Sequence, residues 1–182
     1  MVGEENHKAM DGTNQPPVPT KNQAADLYWL AYLLTGRDDV STDIAADAAT
    51  SQNGGNQFFG EWMRDWSRRL VMAKAVASIH EDLAESARRT EEVHVPKREA
   101  SPAGWSLSPD TTRSQIEEAL LAIDVFPRAA LLLTVFEGVR IRDAATMLEV
   151  DDNLVKKGQV IGLRRFTANI ASKNPGTGRV AH

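Results

Sequence analysis

The chain has 182 residues, a hydrophobic fraction of 42% and a formal net charge of −4, which is typical of a globular protein with packed cores. The acidic balance argues against a histone-like protein that coats DNA, and the absence of cysteine excludes disulfides and thiolate metal sites. No apolar run approaches the roughly 18 residues of a membrane span, and the N-terminus lacks a signal-peptide pattern. We therefore expect a soluble, cytoplasmic protein.

The first helices are predicted from the spacing of apolar residues. Residues 1–22 are polar and proline-rich, and we expect a disordered tail there. Gly36 lies where the first helix should end, and a second helix is expected over Asp39–Thr50, with Asp39 or Ser41 as its cap. The apolar positions at helical spacing in the first helix are Leu27, Leu30, Ala31 and Leu34.

A long amphipathic stretch and a linker follow. Phe59–Arg89 predicts one long helix or two in series. Proline and glycine then exclude a continuous helix, and Trp105 within this linker is expected to pack on a domain. We predict an all-α protein of two small helical domains joined by a flexible linker. The predicted segments are a tail (1–22), a first domain (23–90), the linker (91–113), a second domain (114–173) and a C-terminal tail (174–182).

The most informative segment is Gly138–Phe166, which shows a short helix, a tight turn and a second helix. This order is typical of the helix-turn-helix, whose second helix enters the DNA major groove. Between Leu154 and Lys173 there are five basic residues and no acidic one. A solvated helix end is the alternative, because the helix dipole favours cations at its C-terminus. We favour DNA contact, with candidate residues Lys156, Lys157, Gln159, Arg164 and Arg165.

The stretch FFGEWMRDWSRRLVMAK interleaves aromatic and basic residues. Aromatic rings stack on unpaired bases, contributing about 1–3 kcal/mol per base, while arginines hold the backbone. The alternative is that the aromatic side chains form an apolar stripe of the helix that packs into the core. We expect most of the aromatics to be buried in this way, so the arginines are the better candidates for DNA contact. The stripe would consist of Phe59, Trp62, Trp66 and Leu70. The DNA candidates are Arg64, Arg68 and Arg69, together with Trp62 or Trp66.

Three aspartates spaced four residues apart, Asp39, Asp43 and Asp47, should share one helix face. A solvated acidic face is the simpler interpretation. However, like charges at this spacing destabilise a helix by about 0.2–0.5 kcal/mol per pair, which favours a face kept for a partner.

These segments resemble a known family. Gly138–Phe166 aligns without gaps with region 4 of bacterial RNA polymerase sigma factors, and EALLAIDVFPRAALLLTVFEG resembles the helices that precede it. LYWLAYLLTGRDDVSTDIAADA resembles region 2 of the same family. In its small size and its lack of the middle domain, the chain resembles the extracytoplasmic-function group of this family.

The resemblance implies a function for each part. The first domain would bind core RNA polymerase through Asp39, Asp43, Ile44 and Asp47, although Ala46 replaces the usual glutamine. It would also capture the melted minus-ten strand, while the Lys156–Arg165 helix recognises the minus-thirty-five element. The linker would thread toward the polymerase active-site channel. An anti-sigma factor is a further candidate partner, whereas no membrane, small-molecule substrate, metal or cofactor is implied.

The helix-turn-helix departs from the family at several positions. Glu149 replaces the turn glycine and must adopt a left-handed or another conformation, and Arg140 replaces the serine or threonine cap. Gly158 and Gly162 interrupt the second helix, and Gln159 replaces a buried leucine. The glycines predict weak DNA binding, which Gly158→Arg should tighten by restoring helix propensity and a groove-facing cation.

An enzyme is not expected, because the four histidines are scattered and nothing pairs a nucleophile with a base. Two alternatives to a sigma factor remain open. One is a degenerate sigma-like protein that binds a partner but does not initiate transcription. The other is a stand-alone helix-turn-helix regulator, which would form a dimer on a palindromic operator.

Overall fold

The computed structural model describes residues 21–50, 60–94, 109 and 111–173, and every regular element in these ranges is helical, which confirms the all-α prediction. The helices are α1 (Lys21–Thr35), α2 (Asp38–Thr50), α3 (Gly60–Ser78), α4 (His80–Glu92), α5 (Arg113–Leu121), α6 (Val125–Leu131), α7 (Ile141–Leu148) and α8 (Asp152–Lys173), with a π-helical segment at Leu132–Phe136 directly after α6. None of these helices is long and apolar enough to cross a membrane. The predicted tails, apart from residues 21–22, and Trp105 lie outside the described residues.

The turn between α1 and α2 is set by Gly36. Its φ of +70° is a left-handed conformation that glycine adopts without steric cost, as the sequence predicts. α2 begins at Asp38, so Ser41 lies inside the helix and does not cap it. The buried Ser41 hydroxyl donates to the Arg37 carbonyl and is hydrogen-bonded to the Thr35 hydroxyl. These bonds give the buried hydroxyl groups of Ser41 and Thr35 hydrogen-bond partners beneath the turn.

The amphipathic stretch after residue 59 forms two helices in series. They meet at Ile79, whose φ of −119° and ψ of 23° depart from helical geometry and whose side chain is buried. The second of them, α4, continues to Glu92, and α5 begins at Arg113. The outermost residues of the predicted linker 91–113 are therefore helical.

The C-terminal helices begin and end at recognisable caps. Thr112 and Gln115 form a capping box at the start of α5, and Asp124 accepts the Val125 amide at the start of α6. Gly138, with a φ of +65°, ends the helical run that includes the π-helical segment.

The N-terminal half (residues 21–94) and the C-terminal half (residues 111–173) pack on each other through a single hydrophobic core. α4 packs on α6 and α8, and α1 contacts α5 and α6. At this interface the Phe126 amide donates to the buried Ser86 hydroxyl oxygen at 2.9 Å. Buried side chains of both halves belong to this one core. The division into two separate domains therefore stays a prediction.

A buried arginine joins the two halves. The side chain of Arg128 on α6 lies in the core, where burial lowers its pKa from the ordinary value. Its guanidinium donates to the carbonyls of Leu121 and Ile123, at 3.3 and 3.2 Å, and to that of Leu34 at 3.3 Å. Because Leu34 lies in the last turn of α1, Arg128 satisfies a carbonyl at the end of that helix. The core thus contains a charge held by backbone acceptors.

Glu149, which ends α7, is expected to strain the fold. Its φ of 55° and ψ of 41° are left-handed, a conformation that costs an L-residue about 1–2 kcal/mol. The greater freedom of glycine in the unfolded chain offsets part of this, so Glu149→Gly should raise the free energy of unfolding by about 0.5–1 kcal/mol. Urea unfolding followed by circular dichroism would measure it. Glu149→Ala is the control, and an equal gain for alanine would contradict the strain.

Candidate functional site

The geometry of a helix-turn-helix is formed by α7, the turn at Glu149 and α8. The Val150 amide donates to the Ala145 carbonyl at 3.1 Å across this turn, a bond typical of a helix that ends in a left-handed residue. Asp151 then caps α8, because its carboxylate accepts the amides of Asn153 and Leu154 at 2.8 and 2.9 Å. Both helix ends are therefore fixed by local hydrogen bonds.

The start of α7 has weaker support. Arg140 is its N-cap and makes no capping hydrogen bond, as the departure from serine or threonine predicts. Its Nε instead donates to the Asp143 carboxylate at 2.8 Å. Ala145 and Val155 are buried where α7 and α8 cross, and Val150 packs against the same core. The crossing is thus built from small and β-branched side chains.

The two glycines of α8 do not interrupt it, and our expectation for Gly158→Arg is wrong. α8 runs unbroken from Asp152 to Lys173, and both glycines are buried against α6. A Cβ atom on Gly158 would lie 2.8 Å from Cε1 of Phe126, and one on Gly162 would lie 2.4 Å from the Pro127 carbonyl oxygen. An arginine at 158 would enter the core instead of a DNA groove. Glycine at both positions is therefore what allows the backbone of α8 to lie close to α6.

The basic residues Lys156–Arg165 of α8 spread over about half of the helix circumference. Lys156 is exposed, and Lys157 and Arg164 are half-buried. Lys157 and Arg164 are seven residues apart, about two turns, and so share a face near Lys156. Arg165 is exposed but lies nine residues after Lys156, about 180° around the helix, and Gln159 is half-buried. Lys157 and Arg164 therefore share one face of α8, and Lys156 and Arg165 flank it on opposite sides, each within about 100° of both.

The expected core stripe on α3 is wrong for its two tryptophans. Trp62 is 61% exposed and Trp66 is 37% exposed, and the buried face of α3 is formed by smaller side chains that include Ser67, Val71 and Ala75. Arg69 is also exposed and lies within a turn of Trp66. Phe58 and Phe59 lie outside the described residues. An aromatic and basic face, which we define as Trp62, Trp66 and Arg69, is thus presented to solvent.

The other two arginines of α3 are engaged by carboxylates. Arg64 is exposed and lies 3.9 Å from the Glu61 carboxylate. Arg68 donates from Nε and Nη2 to the two carboxylate oxygens of Glu137, at 2.8 and 2.5 Å. This bidentate pair raises the pKa of Arg68 above its ordinary value, chiefly through the hydrogen bond. The role of Glu137 could not be predicted from the sequence, because Glu137 lies 69 residues from Arg68.

The acidic face of α2 is formed as predicted, except for Ile44. Asp39, Asp43 and Asp47 are exposed, and a backbone hydrogen bond and Arg37 lower the pKa of Asp39. Asp47 accepts a hydrogen bond from Lys74 at 2.5 Å, which neutralises one end of this face. Ile44 is buried in the core at 7% exposure, so its side chain is not available to a partner. All three carboxylates of this face are thus exposed, although Arg37 lies 3.5 Å from Asp39 and Lys74 pairs with Asp47.

Comparisons of the chain with protein-family models, with curated proteins and with solved structures find no significant match.

Proposed function

We propose that the chain is a sigma-like transcription factor that binds core RNA polymerase and directs it to promoter DNA. The observation that carries this proposal is the helix-turn-helix of α7 and α8, with Lys157 and Arg164 on one face of its second helix and Lys156 and Arg165 on either side of them. Such a helix presents cations to phosphates when it lies in a major groove. The resemblance of both halves to sigma factor regions gives the class of partner.

Each half has a part in this proposal. The aromatic and basic face of α3 offers two exposed rings for stacking on unpaired bases and one arginine for the backbone. The acidic face of α2 offers Asp39 and Asp43 to a basic surface of the polymerase. A stand-alone regulator would leave both of these surfaces without a role, so the sigma-like function accounts for more of the chain.

A sigma-like protein that binds a partner without starting transcription is the second candidate. It is favoured by the burial of Gly158 and Gly162, because neither position can present a side chain to a base edge. Val160 also lies between the basic residues of this face and offers no hydrogen bond to a base. Both candidates predict that binding to DNA depends mainly on phosphate contacts.

The role of α8 is tested by the salt dependence of DNA binding. We expect the full chain to bind duplex DNA weakly, with a dissociation constant on the order of 10⁻⁴–10⁻⁶ M. Lys156→Ala should weaken binding to all sequences and lower the slope of log affinity against log salt by about 1. Fluorescence anisotropy over a salt series measures both quantities.

The matched control is Lys74→Ala, which removes the same charge from α3. It should leave the salt slope unchanged, because Lys74 lies in the other half and is paired with Asp47. Equal effects of the two substitutions would mean that net charge, and not the α8 face, governs binding. A salt-insensitive, nanomolar complex would favour the stand-alone regulator.

A further inference from the structure

One proposed DNA-contacting residue in each half is engaged by the opposite half. Arg68 of α3 forms its bidentate pair with Glu137, which follows the π-helical segment, and the Glu137 side chain is only 8% exposed. Lys157 of α8 donates from Nζ to the Glu91 carbonyl in the last turn of α4 at 2.6 Å. In this arrangement neither cation is free to contact a phosphate without giving up an existing partner.

A second ion pair closes the same interface. Arg89 of α4 donates from Nε and Nη2 to the carboxylate of Asp124 at 3.1–3.2 Å. Arg89 is about half exposed, so its pair contributes less than the Arg68–Glu137 pair, whose carboxylate is nearly buried. The interface is thus held by the shared core and by charged groups at its edge.

The packed arrangement is too small to contact both promoter elements. A compact chain of this length has a radius of gyration of about 16 Å, and therefore a diameter of roughly 40 Å. Elements centred about 25 base pairs apart, as minus ten and minus thirty-five imply, are separated by roughly 85 Å of duplex. Contact with both elements therefore requires the two halves to separate.

We propose that the packed arrangement is a self-occluded state, in which the Arg68–Glu137 ion pair adds to the shared core in holding the two halves together and competes with nucleic acid for Arg68. This inference rests on the proposed function, since it assigns Arg68 a phosphate partner. Opening breaks the pair, and the phosphates of DNA then replace the Glu137 carboxylate as the anion that faces the guanidinium. The apparent association constant for DNA is thereby reduced to the intrinsic value multiplied by the open fraction.

The variant Glu137→Gln tests the ion pair, because it removes the charge and retains the shape. Since the chain has no cysteine, spin labels are introduced at Ala77→Cys on α3 and Thr146→Cys on α7, both of which are exposed. Double electron–electron resonance then measures the separation of the halves in the full chain. We expect one short distance in the parent and a second population beyond roughly 40 Å in Glu137→Gln.

Affinity for DNA is measured on the same proteins with a labelled single strand of about 12 nucleotides. Glu137→Gln should bind about fivefold more tightly than the parent. The control Glu81→Gln makes the same charge change on an exposed residue of α4 that has no ion pair among the described residues, and should bind within about twofold of the parent. The charge swap of Arg68→Glu with Glu137→Arg should restore the short distance without any gain in affinity.

The outcomes separate this proposal from the function on which it rests. Unchanged distances in Glu137→Gln, or a gain in affinity no larger than that of Glu81→Gln, would overturn the self-occluded state while leaving DNA binding intact. The absence of measurable affinity in every variant, including the opened one, would refute the proposed function and the role of the ion pair with it.

Discussion

Gly162→Ala is expected to destabilise the protein by about 2–3 kcal/mol, even though alanine favours a helix over glycine by about 1 kcal/mol. The added Cβ would lie 2.4 Å from the Pro127 carbonyl oxygen and 3.0 Å from Cβ of Leu131. The nearest obstacle is backbone, which cannot rotate away, so α8 would have to move off α6. Urea unfolding followed by circular dichroism measures the loss.

The control for this substitution is Arg165→Ala, which changes an exposed residue of the same helix. It should alter the free energy of unfolding by no more than about 0.5 kcal/mol. A stabilising effect of Gly162→Ala would mean that α8 does not approach α6 this closely. The helix-turn-helix would then be free to present a different face.

Arg128→Met is expected to destabilise the protein by about 3–5 kcal/mol. Methionine approximates the length of the side chain but removes the donors to the Leu34, Leu121 and Ile123 carbonyls. Each buried carbonyl left without a partner costs about 1–3 kcal/mol, since the neighbouring apolar side chains offer no replacement. Because a buried charge is itself destabilising, its removal offsets part of this loss of stability. Thermal unfolding compared with the parent chain measures the sum.

Arg142→Met serves as the control, because Arg142 is exposed on α7. A loss below about 1 kcal/mol for Arg128→Met, or equal losses for the two variants, would contradict the role of Arg128 in joining α1 to α6. The comparison separates the buried hydrogen bonds from the general effect of removing an arginine.

Local features of the fold could be predicted from the sequence. Gly36 and Gly138 end helices because a left-handed residue is needed there, and that need is set by the adjacent turn alone. The left-handed conformation of Glu149 is likewise one of the two alternatives that the turn pattern leaves open. All-α class followed from apolar spacing, because helical periodicity is visible without knowledge of the partner helix.

Long-range features could not be predicted. The roles of Gly158 and Gly162 depend on Phe126 and Pro127, which approach α8 only after folding. The exposure of Trp62 also depends on which face of α3 meets the core, and a pattern of large apolar residues suggested the opposite face. The face of α3 that meets the core carries Ser67 and Ala75, both fully buried. Their small side chains permit close packing where large ones would not fit.

The central claim is tested most directly by in vitro transcription with purified core RNA polymerase on fragments of the genome that encodes the protein. We predict transcripts that depend on both polymerase and protein, and their loss when Asp39 and Asp43 are reversed to lysine, since these exposed carboxylates are the proposed polymerase contact. Binding to core polymerase without any transcript would establish the partner-binding candidate instead. Absence of both binding and transcripts would contradict the account.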